Sequence, residues 1–166
     1  MSGSDDERKP VSAAEIVVRA ASPDEAEAIV RCYQWLFAPP GSVPPGWDPA
    51  VAVERVRLTI AGDQSVMLIA VAGERIVGIC SAYIDLLSIR YGVRCWVEDL
   101  AVDPDRRSLG IGAALLAAAR GFARSRGASH LELDSGDARP DAHRFYERDG
   151  ANVLGRSFGW HGLGEG

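Results

Sequence analysis

The sequence predicts an α/β (α+β) fold, with a mixed sheet of about six to seven strands flanked by four helices in the order βααβββαβαβ. Three observations predict it. A strand, a glycine-rich turn and a helix follow one another without interruption across 97–122. Two apolar stretches joined by a short turn come before it, over 65–72 and 75–84. Two further segments open with a capping residue followed by proline, a common helix start.

Residues 1–12 are polar and are expected to form a disordered tail, with a single domain over 13–160 and a loose tail over 161–166. The β-branched run 15–20, EIVVRA, reads as the first strand. Ser22-Pro23 then starts a helix reaching about Phe37, with Ala26, Ile29, Val30, Tyr33 and Phe37 on its apolar face. The run 38–47, APPGSVPPGW, is a loop, and Asp48-Pro49 starts a second helix that ends near Ala61. Stretches 65–72 and 75–84 are strands joined by Ala72-Gly73-Glu74; a connection over 85–92 leads to a strand over about 94–102. These three strands read as an antiparallel meander.

The third helix shows Ile111, Leu115, Ala118, Ala119 and Phe122 on one face and stops near Arg126-Gly127. A strand over 128–134, a loop over 135–139, a helix from Pro140 to about Asp149 and a last strand over 151–158 complete the order. Crossovers around the third helix require at least one parallel pair, which makes the sheet mixed.

Composition narrows the partners. A chain of 166 residues can bury a core without disulfides or metals. Its net charge is −5, and Lys9 is the only lysine, so no basic run suggests nucleic acid. Cys32, Cys80 and Cys95 are odd in number and form no CxxC, which excludes a disulfide framework or a zinc site; they read as small apolar residues. No paired histidines suggest a metal, and His130 and His161 have no evident partner. The opening MSGSDDERKP lacks the apolar segment of a secretory signal, and no run of about 18 apolar residues could span a membrane. A cytoplasmic protein without a membrane partner is the expectation.

The turn 107–112, RSLGIG, opens directly into a helix. The first N–H groups of a helix lack intrahelical partners and its dipole favours negative charge, so the junction suits a phosphate. There is no Gly-Lys-Ser/Thr, and the spacing is RxxGxG rather than GxGxxG, so neither common nucleotide motif applies. This spacing, after a strand ending LAVDP, resembles the acetyl-CoA signature of the GNAT acetyltransferases. The resemblance covers 97–116 densely and returns at 142–151, where AHRFYERDGA resembles the family's second signature.

The resemblance implies roles residue by residue. The backbone of Leu100, Ala101 and Val102 would pair with the pantetheine arm of acetyl-CoA. The N–H groups of Ser108, Leu109, Gly110, Ile111, Gly112 and Ala113, with Arg107 beside them, would hold the pyrophosphate. Leu109 stands where the family often has a small or basic residue and is expected to point into packing. Tyr146 occupies the position of the family's tyrosine general acid. Glu98-Asp99-Leu100 resembles polyamine-type members in which the glutamate activates the amine, often through water. Strand alternation puts Glu98 and Asp99 on opposite faces, and Glu98 is the favoured base. Asp134 matches a base proposed in some protein-acetylating members and is second.

Arg139 replaces a common cofactor-touching asparagine. The run 139–146, RPDAHRFY, resembles a subgroup with aminoalkylphosphonate and aminoglycoside-type acetyltransferases, in which Arg139 could reach a phosphate. His143 reads as a packed or exposed side chain. The acceptor pocket of the family draws on two connections, 39–47 and 86–94 here, including Trp47, Arg90 and Tyr91, with Asp99 nearby; Trp35 and Trp96 are further candidates. The expected activity is acetyl transfer from acetyl-CoA to a primary amine, of a small molecule, by direct attack in a ternary complex without a metal, in a homodimer. A protein N-terminal or lysine acetyltransferase and a non-catalytic acyl-CoA-binding module are the alternatives.

Overall fold

A computed structural model describes residues 16–155. The expected tails, Glu15, the 156–158 part of the last strand and His161 lie outside the described residues. The chain divides into two compact units, residues 1–132 and 133–166.

The first unit is built on a sheet in the order β1-β2-β3-β4-β5. Its strands are β1 (Ile16–Ala20), β2 (Ser65–Ala72), β3 (Arg75–Ser88), β4 (Gly92–Val102) and β5 (His130–Leu133), the last of which ends one residue into the second unit. The antiparallel meander is present: β2 pairs with β3, and β3 with β4. β1 adds to the outer edge of β2, from Ile16 opposite Ala72 to Ala20 opposite Leu68. The expected connection over 85–92 is much shorter, because β3 continues to Ser88 and β4 begins at Gly92. A register shift at Asp85 keeps the ladder going, with Ile84 opposite Cys95 and Leu86 opposite Arg94. Gly92, at φ +83°, takes the left-handed conformation that closes the turn.

The helix expected over 22–37 is broken in two. A 3₁₀ turn, Pro23–Glu25, follows the reciprocal Ser22/Glu25 capping box, and then come α1 (Ala26–Cys32) and α2 (Gln34–Phe37). At the break, Tyr33 N–H donates to Val30 C=O at 3.2 Å, a tighter i→i−3 bond. α3 (Pro49–Ala61) starts as the sequence indicates, with the Asp48 carboxylate accepting from Ala50 N–H at 2.8 Å. α4 (Ile111–Ser125) carries the expected apolar face, burying Ile111, Leu115 and Ala119.

Helices cover both faces of the sheet. Ile29, Val30 and Val56 of α1 and α3 share one core with Met67, Ile69, Ile79 and Ala101. α4 covers the other face, so closely that a Cβ on Gly78 would stand 2.8 Å from Ile111 Cγ2 and 2.9 Å from Leu115 Cδ1. Removing a fully buried side chain such as Leu115 would cost about 2–5 kcal/mol.

In the second unit, α5 (Pro140–Arg148) follows a loop, with Arg139 at its N-cap position and an Arg144–Asp141 ion pair on its first turns. Gly150, at φ +91°, ends it, and Ala151 N–H returns to Tyr146 C=O at 3.0 Å. The last expected strand is not formed over 151–155, where Val153 and Leu154 are 84% and 74% exposed. These residues bury no face that would favour pairing. Among the described residues the sheet therefore has five strands, not six or seven.

Candidate active site

Strand β4 carries an irregularity that the sequence did not announce. Ser81 lies opposite Asp99, but Ala82 lies opposite Val97, so Glu98 is an extra residue in β4. Such a bulge reverses the alternation beyond it. Val97 faces α4 with its partner Ala82, whereas Asp99 joins Ser81, Ile79 and Ala101 on the face covered by α1 and α3.

Asp99 is consequently half-buried and enclosed by hydroxyls. Tyr33 Oη, at the α1–α2 break, donates to Asp99 Oδ2 at 2.7 Å, and Ser81 Oγ donates to the same oxygen at 3.1 Å. Asp99 N–H donates in turn to Ser81 Oγ at 3.2 Å. Burial pushes the Asp99 carboxyl above its ordinary value, against the two hydroxyl donors that lower it. Burial also raises the Tyr33 phenol, with the Asp99 charge adding to the effect.

The Tyr33 ring continues outward into an aromatic wall. Its centroid lies 5.7 Å from Trp47, which packs edge-on to Phe37 at 4.7 Å. Glu98, by contrast, is exposed, and its carboxylate accepts from Trp96 Nε1 at 2.6 Å. The expected opposition of Glu98 and Asp99 by plain alternation does not apply at a bulge. Of the two, Asp99 is the one drawn into the interior.

The β4–α4 turn is anchored from below. Asp103, 2% exposed, accepts from Arg75 Nη2 at 2.5 Å and from Asp105 N–H at 3.0 Å. Beyond the 3₁₀ turn Pro104–Arg106, Ser108 and Gly110 both take left-handed backbone, at φ +64° and +77°. Ser108 is the one non-glycine residue there among those described. Such a conformation is sparsely populated for a residue with a Cβ. Ala114 N–H makes the first intrahelical bond, to Gly110 C=O at 3.0 Å, which leaves Ile111, Gly112 and Ala113 N–H without a carbonyl one turn back. A Cβ at Gly110 would meet nothing within 4 Å, so the space before the helix is open. Leu109 is 39% exposed rather than packed, because it sits on this outward turn.

Leu100, Ala101 and Val102 pair on one side with Cys80, Ile79 and Gly78. On the other side β5 begins level with Val93, where Ser129 N–H donates to Val93 C=O at 2.8 Å. Four residues long, β5 is spent before β4 reaches Leu100. Among the described residues no strand of the sheet pairs with this edge, which together with the N–H groups at the start of α4 and Arg107 fits a long pyrophosphate-bearing thioester such as acetyl-CoA.

The remaining expected residues are dispersed. Tyr91 is eight residues from Asp99 on the same strand ribbon, roughly 26 Å away, and sits with His130 and Arg90. The structure thus brings Trp47 and Asp99 together through Tyr33 but does not bring Tyr91 to them. Trp96 stacks under the Arg94 guanidinium, which also binds Asp85 and Glu132. His130 does have partners, Ser129 Oγ at 3.0 Å and Glu132 at 3.5 Å. Asp134, Arg139 and Tyr146 lie in the second unit, where the Tyr146 ring is 5.2 Å from Phe145. The three cysteines are buried, and burial pushes the Cys32, Cys80 and Cys95 thiols up to about 11, 12 and 11. Among the described residues no His, Cys, Asp or Glu group is arranged to hold a metal, and no helix is long and apolar enough to cross a membrane.

Tyr33 and Ser81 were not singled out from the sequence. For Ser81 a signal existed, since it interrupts an apolar strand; Tyr33 continues the apolar face of its helix and carries no separate signal.

A strand, a turn with left-handed residues and a helix start in direct succession are the parts that suit an acyl donor carrying a pyrophosphate, and so an acyl transferase. Comparisons with known proteins agree. The family model described as "Acetyltransferase (GNAT) family" matches residues 29–151. An uncharacterized N-acetyltransferase, YhdJ of Bacillus subtilis strain 168, is 36% identical over 99 residues, covering 60% of this chain and 69% of its own. The chain belongs to the GNAT acetyltransferase family. It is an acetyl-CoA-dependent acyltransferase. Among solved structures, aminoglycoside N-acetyltransferase AAC(6')-Iy in complex with CoA is 16% identical, with a TM-score of 0.77 over 89% of this chain and 95% of that one. A transcriptional regulator from Bacillus halodurans C-125 is 23% identical, with a TM-score of 0.74 over 88% of this chain and 99% of that one. At these identities the two establish the mixed α/β fold.

Proposed function

We propose that the protein transfers the acetyl group of acetyl-CoA to a primary amine of a small molecule, with both substrates bound together and no covalent enzyme intermediate. The observation that carries this reading is the β4–α4 junction: Ser108 and Gly110 take left-handed backbone, and the N–H groups of Ile111, Gly112 and Ala113, without intrahelical carbonyls, start a helix where a Cβ on Gly110 would meet nothing within 4 Å. Acetyl-CoA supplies an activated acyl group in its thioester.

The chain's own residues bind and move protons. Ser108, Leu109, Gly110, Ile111, Gly112 and Ala113 offer backbone N–H groups to the pyrophosphate, and Arg107 adds a positive charge. Leu100, Ala101 and Val102 hold the pantetheine arm along the edge of β4, and Arg139 meets a phosphate. A carboxylate on β4 takes a proton from the incoming ammonium; Glu98 and Asp99 are the two available there, and Asp134 is a candidate from the second unit. Tyr146 Oη gives its proton where the thiolate departs. A phenol near pKa 10 is slightly too weak an acid for a thiolate near 8.5, so this transfer depends on position and surroundings.

Support for a small-molecule acceptor comes from neighbours in fold that are aminoglycoside acetyltransferases, one of them solved with a bisubstrate analogue of CoA and an acetylated neamine. Trp47 and Asp99 line the acceptor side, a homodimer is the assembly, and the cytoplasm is the compartment. Thiol release from acetyl-CoA, measured across spermidine, tyramine, tryptamine, kanamycin and a lysine-bearing peptide, tests the reading. Release that depends on one of the small amines is expected. Release with the peptide alone, or with none, would overturn it.

A further inference from the structure

The turn between β4 and α4 has no core of its own. From Pro104 to Gly110 every residue is exposed or half-exposed, whereas Asp103 and Ile111, at its two ends, are 2% and 3% exposed. Within the turn Ser108 holds left-handed backbone at φ +64°, a conformation that persists only where the surroundings impose it. Whatever fixes the turn therefore acts through its ends.

Both ends sit on the first residues of β3. Ile111 lies against Gly78, where an added Cβ would stand 2.8 Å from Ile111 Cγ2. Asp103 is held by every polar group it has. Its N–H donates to Val77 C=O at 3.0 Å, and its C=O accepts from Arg106 N–H at 2.8 Å. Its Oδ1 accepts from Asp105 N–H at 3.0 Å, and its Oδ2 accepts from Arg75 Nη2 at 2.5 Å. Arg75 in turn closes the β2–β3 hairpin opposite Ala72. Strand, 3₁₀ turn and hairpin are thus joined at one carboxylate.

The two partners differ in burial. The Arg75 side chain is 56% exposed and that of Asp103 only 4%. Removing the guanidinium opens no cavity in the core, but it leaves a buried carboxylate oxygen without its match, a costly state. The carboxylate must then swing toward water, and that swing breaks its bond to Asp105 N–H at the base of the turn.

We propose that Arg75 and Asp103 are positioning residues for the acyl donor: their ion pair holds the β4–α4 turn in the shape that presents the N–H groups of Ile111, Gly112 and Ala113 to the pyrophosphate. The inference rests on the reading of this turn as the pyrophosphate seat and deepens it. Neither side chain needs to touch acetyl-CoA. A turn fixed before the donor arrives loses little freedom on binding, whereas a released turn must be ordered in the act of binding, which weakens affinity. The pantetheine arm runs along β4 instead, so the effect is confined to donors that carry the pyrophosphate.

The test compares two donors, acetyl-CoA and S-acetylpantetheine, which keeps the thioester and the arm but lacks the pyrophosphate. Dissociation constants come from calorimetry, and KM and kcat from thiol release with the best acceptor of the amine panel. The proteins are wild type, Arg75→Met, Arg75→Lys, Asp103→Asn and Arg19→Met, each with a thermal melt. Arg19→Met removes a different ion pair, the one to Glu25 of the capping box. Wild type should bind acetyl-CoA more tightly than S-acetylpantetheine. Arg75→Met should raise Kd and KM for acetyl-CoA by about tenfold or more, with kcat and both constants for S-acetylpantetheine near wild type. A purely structural ion pair would not produce that split. Arg75→Lys should recover part of the loss, and Arg19→Met should show none. Asp103→Asn should repeat Arg75→Met; if it does not fold, Arg75→Met carries the test alone. Wild-type acetyl-CoA affinity in Arg75→Met, an equal loss for both donors, or an equal loss in Arg19→Met would each overturn the assignment while the pyrophosphate seat stands. A wild type that binds the two donors equally well would overturn the seat and the inference together.

Discussion

Tyr33 Oη donates a 2.7 Å hydrogen bond to Asp99 Oδ2, joining the break between α1 and α2 to the bulge of β4. Each irregularity makes the other useful. Without the extra residue Glu98, Asp99 would share the α4 face with Val97. Without the tightened turn at Tyr33, the phenol would not be held at the helix end facing it.

Burial of Asp99 has a consequence for stability. Its folded-state pKa lies above the unfolded value, so the native state retains a proton that the unfolded chain has released. Wild-type stability must therefore decline as pH rises between the two values, and Asp99→Asn lacks this decline. Denaturant melts from about pH 4 to neutrality should show the variant gaining on wild type as pH rises. Curves that stay parallel would contradict the burial account.

Gly110 is placed to distinguish binding from catalysis. A tryptophan there would have to adopt left-handed backbone and would project into the open space before α4. Acetyl-CoA affinity measured by calorimetry should fall by about tenfold or more, equivalent to about 1.4 kcal/mol. Unchanged affinity would move the pyrophosphate elsewhere.

Tyr146→Phe removes one hydroxyl from α5. If that hydroxyl is the acid, steady-state turnover should drop by about 10²-fold or more while acetyl-CoA affinity holds. A variant running at the wild-type rate would take Tyr146 out of the mechanism.

The cysteines should be silent. Buried thiols pushed to between about 11 and 12 carry almost no thiolate at neutral pH. An aromatic disulfide reagent should label none of Cys32, Cys80 and Cys95 in the native protein and all of them after denaturation. Rapid native labelling, or an acetylated cysteine found by mass spectrometry, would reopen a covalent route.

How much of this was legible in the sequence depends on the kind of signal. Ile111, Leu115 and Ala119 repeat at helical spacing, and Asp48-Pro49 supplies a cap, so α3 and α4 could be bounded closely. The glycines of the turn are equally explicit, since Gly110 is needed for its backbone angle. The bulge is different. It arises from the pairing of Ser81 with Asp99 and Ala82 with Val97, a relation between strands that one strand's alternation cannot express. That is why plain alternation could set Glu98 and Asp99 on opposite faces but not show which of them enters the interior, and the preference for Glu98 came from resemblance alone. The break at Tyr33 is similarly tertiary, because Ile29, Val30, Tyr33 and Phe37 continue one helical face without a proline or glycine to stop it. Tyr91 was grouped with Trp47 because both lie in connections, but the long β3–β4 ribbon carries it away.

The central claim is direct acetyl transfer from acetyl-CoA to an amine. Initial rates of thiol release with acetyl-CoA and the acceptor both varied, the product identified by mass, test it most directly. The account predicts intersecting reciprocal plots and a singly acetylated amine. Parallel plots, or thiol release that does not depend on the amine, would contradict it.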